Sequence, residues 1–207
     1  MAAESREAKK LLHDTAKKTH PLTVTTPKVL ILAGGRSRRF GADKAFAMLQ
    51  GKPLIAHVMA AFPGLPIAIS AGADAARFAD FRVPVLMDGE FQGQGPLAGL
   101  AVGLAWAADA GALITAPCDT PFLPADLVPR LLPAPAYARA GGRDHFLVAS
   151  WPVAARATLL AILRDGSSLK VERFAHAIGA RAVEFEDQGK DFLNINYRAD
   201  LDNAALE

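Results

Sequence analysis

A single cysteine, Cys118, stands in 207 residues. No internal disulfide and no cysteine-built zinc site can therefore be assembled, and the expected compartment is a reducing cytoplasm. Long apolar runs are missing too. The longest uncharged stretch, Phe91 to Ala108, is broken by Gln92, Gln94 and Pro96, and the amino terminus lacks the apolar core of an export signal, so neither membrane spanning nor secretion is expected. The chain also has little net charge, +2 in all. Residues 1–27 hold five basic side chains (Arg6, Lys9, Lys10, Lys17, Lys18) against three acids (Glu4, Glu7, Asp14), which leaves the remainder balanced. A neutral body argues against nucleic acid as a partner, because that binding draws on many Lys and Arg neutralising phosphates. A small anion needs only a local basic cluster.

What is present is ordinary for a globular chain: 51% hydrophobic and 21% charged residues. The length suits one domain, since single domains run from about 50 to 250 residues. Residues 1–27 show no sustained apolar periodicity and read as a flexible extension, the alternative being a short amphipathic helix over 5–16 that docks through Leu11 and Leu12. Residues 28–207 read as the folded domain. There, strand and helix signals alternate. Val29 to Leu32 is a continuous apolar run ended by Gly34-Gly35, as in a central parallel strand. Helices are predicted within 43–50 and 54–62, strands at 67–70 and 83–87, a helix over 97–108, a strand at 112–116 and a helix near Pro124. Phe146 to Trp151 and Phe192 to Ile195 read as further strands, with one or two antiparallel additions. This alternation favours an α/β sheet covered by helices on both faces, with ligands beyond the strands' carboxyl ends.

The stretch after the first strand, Leu32 to Lys44, carries the most chemistry. Gly34, Gly35 and Gly41 let backbone amides approach an anion, while Arg36, Arg38, Arg39 and Lys44 supply charge. The spacing excludes a P-loop, which needs G-x-x-x-x-G-K-[ST], and a G-x-G-x-x-G dinucleotide fingerprint. Gly93 to Gly99 comes near the latter with one residue too many. The bland alternative is a strand-to-helix turn beside a solvated basic face. A second candidate is Asp119, at the end of the apolar stretch Ala112 to Ala116. It is a hard oxygen ligand of the kind magnesium takes, or else a turn and cap residue before Thr120-Pro121. Cys118 beside it reads as a small hydrophobe. Asn194 and Asn196, two apart on a predicted strand, project from one face, or cap the helix expected near Arg198. His57 and His176 read as structural.

Leu32 to Lys44 resembles the signature L-A-G-G-x-S-x-R-x-G-x-D-K of the molybdenum cofactor guanylyltransferase family, with every fixed position present. The resemblance implies a three-layer, Rossmann-like nucleotidyltransferase fold with a mostly parallel sheet. It also implies GTP and molybdenum-molybdopterin as substrates, Mg2+ as cofactor, and molybdoenzymes or their chaperones as later partners. Pro117 to Pro121 is similar to the family's P-C-D-x-P segment, whose Asp binds the metal, so Asp119 becomes the expected ligand. Gly95-Pro96-Leu97-Ala98-Gly99 resembles the G-P-L-A-G element of the guanine pocket, and Asp88 is expected to contact the base, accepting from guanine N1 and N2, or the ribose, or else to serve as a turn residue before Gly89. The implied nucleotide contacts are Leu32, Ala33, Gly34, Gly35, Lys44, Asp88, Gly95, Pro96, Gly99 and Asp119, and the implied catalytic groups are Arg39, Lys44 and Asp119. Gly142 to His145 resembles a pterin-side segment, with Phe146 in place of the usual proline. Asn194 to Leu201 matches the ending N-x-N-x-x-x-D/E-L. Arg143 and His145 are thus implied pterin ligands, and Asn194 and Asn196 implied pterin or metal-site contacts. One departure stands at Ser70-Ala71-Gly72, where relatives often carry an Asn. The expected reaction is attack by the pterin's terminal phosphate on the α-phosphorus of GTP, with pyrophosphate leaving. Rival readings are a cytidylyl- or sugar-phosphate nucleotidyltransferase, or a silent nucleotide-binding carrier of the cofactor.

Overall fold

A computed structural model describes residues 26–34, 44–72, 74–186, 189 and 191–205. The expected extension, with its alternative helix, lies outside the described residues up to position 25. Strand β1 (Lys28–Leu32) is followed by a 3-10 turn at Lys44–Phe46, the short strands β2 (Met48–Leu49) and β3 (Lys52–Pro53), helix α1 (Leu54–Ala60) and β4 (Ile67–Gly72). A 3-10 segment (Ala76–Phe81) leads to β5 (Val85–Met87), then α2 (Pro96–Trp106), β6 (Ala112–Pro117), α3 (Leu127–Leu131), β7 (Ala136–Ala140) and β8 (Arg143–Pro152). The chain closes with α4 (Arg156–Asp165), α5 (Val171–Ala177), β9 (Arg181–Phe185) and α6 (Arg198–Ala205).

Seven strands form one sheet in the order β5-β4-β1-β6-β8-β7-β9. Only the pairings of β8 with β6 and β7 are antiparallel, and the other four are parallel. The sheet is sided by residue alternation. In β1, Val29 and Ile31 face a core that includes Val58 and Phe62 of the α1 region and Leu127 of α3, whereas Leu30 faces Leu97 and Leu104 of α2, Leu159 of α4 and Phe174 of α5. All three strand residues are fully buried, and burial of each such side chain contributes about 1.5–3 kcal/mol. Helix α2 is buried along most of its length. A Cβ on Gly99 would fall 2.4 Å from Ser70 Oγ and one on Gly103 2.5 Å from Leu30 Cδ2. The two glycines, four apart on one helix face, therefore let α2 lie closer to the sheet than a side chain permits.

Three expectations are corrected. The helix placed within 43–50 is instead a 3-10 turn and the hairpin β2–β3, because Gln50 and Gly51 both take positive φ (47° and 78°) in a two-residue turn. Phe192 to Ile195 is not a strand. Its amides go to loop carbonyls, Phe192 N to Phe122 O at 3.0 Å and Ile195 N to Asp119 O at 2.9 Å. The strand expected at 83–87 begins only at Val85.

The chain steps from β1 outward to β4 and β5, then returns over α2 to β6 on the other side of β1. The strand order thus reverses between β1 and β6. In such sheets the crevice at the carboxyl ends beside that reversal is the ligand site.

Candidate active site

Both walls of the crevice are tied together by main chain. Cys118 N donates to Leu32 O at 3.0 Å across β6 and β1, and Ala33 N donates to Ser70 O at 2.9 Å across β1 and β4. Gly34 then lies against Gly72, where an added Cβ would meet Gly72 N at 3.0 Å. Gly72 takes φ +65° and its own Cβ would meet Gly34 O at 3.2 Å. The departure at Ser70-Ala71-Gly72 therefore leaves two backbones in contact, with no side chain between them. Residues 35–43, with Gly35 and Arg39, lie outside the described residues.

The chain is described again at Lys44, whose ammonium donates to Asp119 Oδ2 at 2.5 Å and to Asn196 Oδ1 at 2.8 Å. These partners stand 75 and 152 residues away. The ion pair is largely sheltered, with side-chain exposures of 11% for Lys44 and 23% for Asp119. Asp119 follows β6, and its carbonyl holds the amide of Ile195. Ile195 is fully buried, in a small cluster with Leu49, Leu54 and Ala204. That anchor fixes the residues on either side of it: Asn196 reaches Lys44, and Asn194 Oδ1 accepts from Thr120 Oγ1 at 2.6 Å.

Among the described residues no three His, Cys, Asp or Glu side chains cluster to hold a metal ion by themselves. One partly exposed carboxylate at a strand end, with an amide oxygen beside its lysine partner, nevertheless fits a hard divalent cation whose remaining shell is water and ligand phosphate oxygen. Asp119 is the residue that would hold it.

On the other flank, Asp88 closes β5 and is buried, its amide bound to Gly72 O at 3.2 Å. Burial pushes its carboxyl above the usual carboxylate range, opposed in part by the hydroxyl of Ser70 at 3.4 Å. Ser70 touches the Gly99 position on α2, so Asp88, Ser70 and Gly99 form one wall, with Gly95 (φ +68°) and Pro96 opening the helix. On the β8 side, Arg143, His145, Asn194 and Asn196 line one pocket of about 290 Å³, together with Asp191 and Phe192. The rings of His145 and Phe192 lie 5.0 Å apart. The neighbouring Asp144 pairs instead with Arg139, whose guanidinium holds that carboxyl below its usual range. Asn196 belongs to both halves, since it lines this pocket and touches Lys44.

A family model described as the MobA-like NTP transferase domain matches residues 29–180. This chain belongs to the MobA-like NTP transferase family. It is 48% identical over 182 residues to the molybdenum cofactor guanylyltransferase of Acidiphilium cryptum, covering 86% of this chain and 93% of that protein. It is 45% identical to the one from Rhodobacter capsulatus, covering 84% and 93%. Among solved structures it resembles molybdopterin-guanine dinucleotide biosynthesis protein A from Archaeoglobus fulgidus, with a TM-score of 0.70 at 22% identity, covering 86% of this chain and 96% of that one. It also resembles a 2-C-methyl-D-erythritol 4-phosphate cytidylyltransferase from Thermus thermophilus, at 0.60 and 20%, covering 87% and 97%. At those identities the structures speak for the fold alone, a nucleotidyltransferase fold.

In this member of the MobA-like NTP transferase family the expected residues fall into three connected groups. Leu32, Ala33 and Gly34 sit at the end of β1, Lys44 and Asp119 meet in the crevice, and Arg143, His145, Asn194 and Asn196 share a pocket. Asp88 and Gly99 meet only through Ser70. Sequence reading missed Ser70, Thr120 and Asp191. Ser70 had a signal, a hydroxyl ending an apolar strand, and Thr120 had one beside Asp119, but nothing local marks Asp191. Cys118 packs against the core of one sheet face, as expected of a small hydrophobe. His57 rests with Nε2 2.8 Å from Leu49 O, and His176 stands edge-on to Phe146, both structural positions.

Proposed function

We propose that this protein transfers GMP from GTP to the terminal phosphate of molybdenum-molybdopterin, releasing pyrophosphate and forming the guanine dinucleotide cofactor. The observation that carries the reading is the meeting of Lys44, Asp119 and Asn196 at the crevice, with Asn196 also lining the pocket of Arg143 and His145. In this reading one junction serves both substrates, as transfer between two bound phosphates requires. Close relatives of matching length carry the guanylyltransferase name.

In this reading an ionised oxygen of the pterin phosphate attacks the α-phosphorus of GTP, the α–β P–O bond breaks, and pyrophosphate leaves with the electron pair. No general base is needed, because the nucleophile is already an anion. The protein's task is to align two anions and to neutralise charge that develops on the leaving group. Lys44 supplies a cation at the junction, and Arg39, close before it in sequence, is assigned the same work. Mg2+ is the proposed ion, and when bound at Asp119 it neutralises phosphate charge. Asp88 takes the guanine N1 and N2 donors, with Gly95, Pro96 and Gly99 shaping that wall. Arg143, His145, Asn194 and Asn196 hold the pterin. Residues 28–207 act as one domain. No helix of the described residues is long and apolar enough to cross a membrane, and the cytoplasm is the proposed setting, with molybdoenzymes or their chaperones receiving the product.

The test combines purified protein, molybdopterin, Mg2+ and each of four nucleoside triphosphates, with pyrophosphate release as readout. Turnover with GTP alone supports the proposal. Turnover with CTP supports a cytidylyltransferase, and GTP binding without turnover supports a silent carrier.

A further inference from the structure

Ala33 is held by its flanks rather than by its side chain. Its N–H donates to Ser70 O at 2.9 Å, and its carbonyl accepts from Arg77 Nη2 at 2.9 Å, across 44 residues of sequence. Arg77 lies in the 3-10 segment after β4, at the same carboxyl edge of the sheet. Its guanidinium carbon stands 4.6 Å from the ring centroid of Phe78. Phe78 is fully buried and stacks on Phe46 at 5.3 Å, two residues beyond Lys44. The guanidinium is thus seated on a fixed aromatic surface while one arm grips the peptide that opens the glycine-rich loop.

That grip has a directional consequence. The carbonyl of Ala33 and the N–H of Gly34 belong to one planar trans peptide and point opposite ways. Holding the carbonyl on Arg77 therefore sets the direction of the Gly34 N–H, and the Gly34–Gly72 contact keeps the peptide from backing away. An amide aimed before the anion arrives loses no orientational freedom on binding.

We infer that Arg77 is a positioning residue for the nucleotide's phosphates, acting through the Ala33–Gly34 peptide and not by touching the substrate. The inference rests on the reading that this loop binds GTP. It predicts that removing the guanidinium weakens binding of the triphosphate but not of the base, whose wall is built by Asp88 and Gly99 on other elements.

The experiment measures GTP affinity by calorimetry, and guanosine as a competitor, for the wild type, Arg77→Met and Arg77→Lys, with melting temperatures recorded alongside. Arg77→Met is expected to weaken GTP about tenfold, the lower range for losing a hydrogen bond to a charged group. Guanosine inhibition should stay within about twofold, and Arg77→Lys should recover part of the GTP loss by keeping one cationic donor. In turnover the change should appear in KM for GTP and not in KM for the pterin. Equal weakening of GTP and guanosine, or unchanged GTP affinity beside a lowered melting temperature, overturns the inference by making Arg77 a residue of stability only. If Arg77→Met does not fold, Arg77→Lys decides: weaker GTP binding beside unchanged guanosine inhibition supports the inference, and equal weakening of both overturns it. Wild-type protein that binds no GTP defeats the functional reading itself, an outcome distinct from a variant that matches a GTP-binding wild type.

Discussion

Replacing Asp119 with Asn tests the junction with almost no change of shape. In the ligand-free protein the substitution removes the anion facing the Lys44 ammonium, while Asn196 Oδ1 at 2.8 Å and the new amide oxygen remain as acceptors. Breaking a buried pair costs about 3–5 kcal/mol and an exposed pair about 0–1 kcal/mol. Side-chain exposures of 11% and 23% put this pair between those limits. With acceptors retained, the expected loss is about 1–2 kcal/mol, or roughly 2–8 °C in melting temperature at about 2–4 °C per kcal/mol. Ligand adds a second signal. At one hundred times Kd, GTP with Mg2+ stabilises the wild type by about 2.7 kcal/mol, a rise of roughly 5–11 °C. Thermal melts of both proteins, alone, with GTP and EDTA, and with GTP and Mg2+, separate the effects. The wild type should rise further with Mg2+ than with EDTA, whereas in Asp119→Asn the two GTP shifts should converge. A variant that keeps the full Mg2+ increment removes Asp119 from the metal site, and an apo melting temperature at or above wild type refutes the argument from the ion pair.

Asp88, whose carboxyl burial pushes up, contributes stability that is fully present below the ordinary carboxylate range and is lost as pH rises through its raised value. The stability of Asp88→Asn relative to wild type should therefore grow more favourable between about pH 4 and pH 7, measured by urea unfolding, while its preference for GTP over other triphosphates falls; a pH-independent difference refutes the burial cause. Arg143→Met should raise KM for the pterin about tenfold through loss of a charge-assisted contact, leaving KM for GTP nearly unchanged; steady-state kinetics with each substrate varied would show otherwise if the pocket belongs to the nucleotide. Trp151 Nε1 donates to Thr115 Oγ1 at 2.9 Å with both residues buried, joining β8 to β6. Trp151→Phe should cost about 2–3 kcal/mol and Thr115→Val about 1 kcal/mol, with the double variant milder than additive by at least about 0.5 kcal/mol; strict additivity in urea melts would deny the bond its role.

The clearest parts of the fold in the sequence are strands buried along most of their length. Val29 to Leu32 and Ala112 to Ala116 read as central strands because both faces are covered and every position is apolar or small. Strands β7 and β9 went unread. Ala136-Tyr137-Ala138-Arg139-Ala140 carries little intrinsic strand preference, and its pairing is decided by register against Arg181–Phe185 on one side and β8 on the other, a tertiary effect. The turn at Gln50-Gly51 directly follows a run of helix-compatible residues, Ala45 to Leu49, and the positive φ of both turn residues shows why the chain doubles back there.

The site divides the same way. The reading of an anion loop rests on glycines and cations adjacent in sequence, and that of Asp119 on a carboxylate standing where an apolar strand stops. Neither fact reveals that Lys44 meets Asp119 or that Asn196 joins them, since those contacts are made by a segment with no strand pattern of its own. The physical cause is Ile195. Its buried side chain and its amide bond to the Asp119 carbonyl draw residues 192–196 across the crevice, and the flanking asparagines are thereby carried to Thr120 on one side and Lys44 on the other. A hydrophobic anchor between two amides is what turns a loop into part of the site. Weakening that anchor should therefore disturb both asparagine contacts together, even though the Ile195 side chain is itself fully buried.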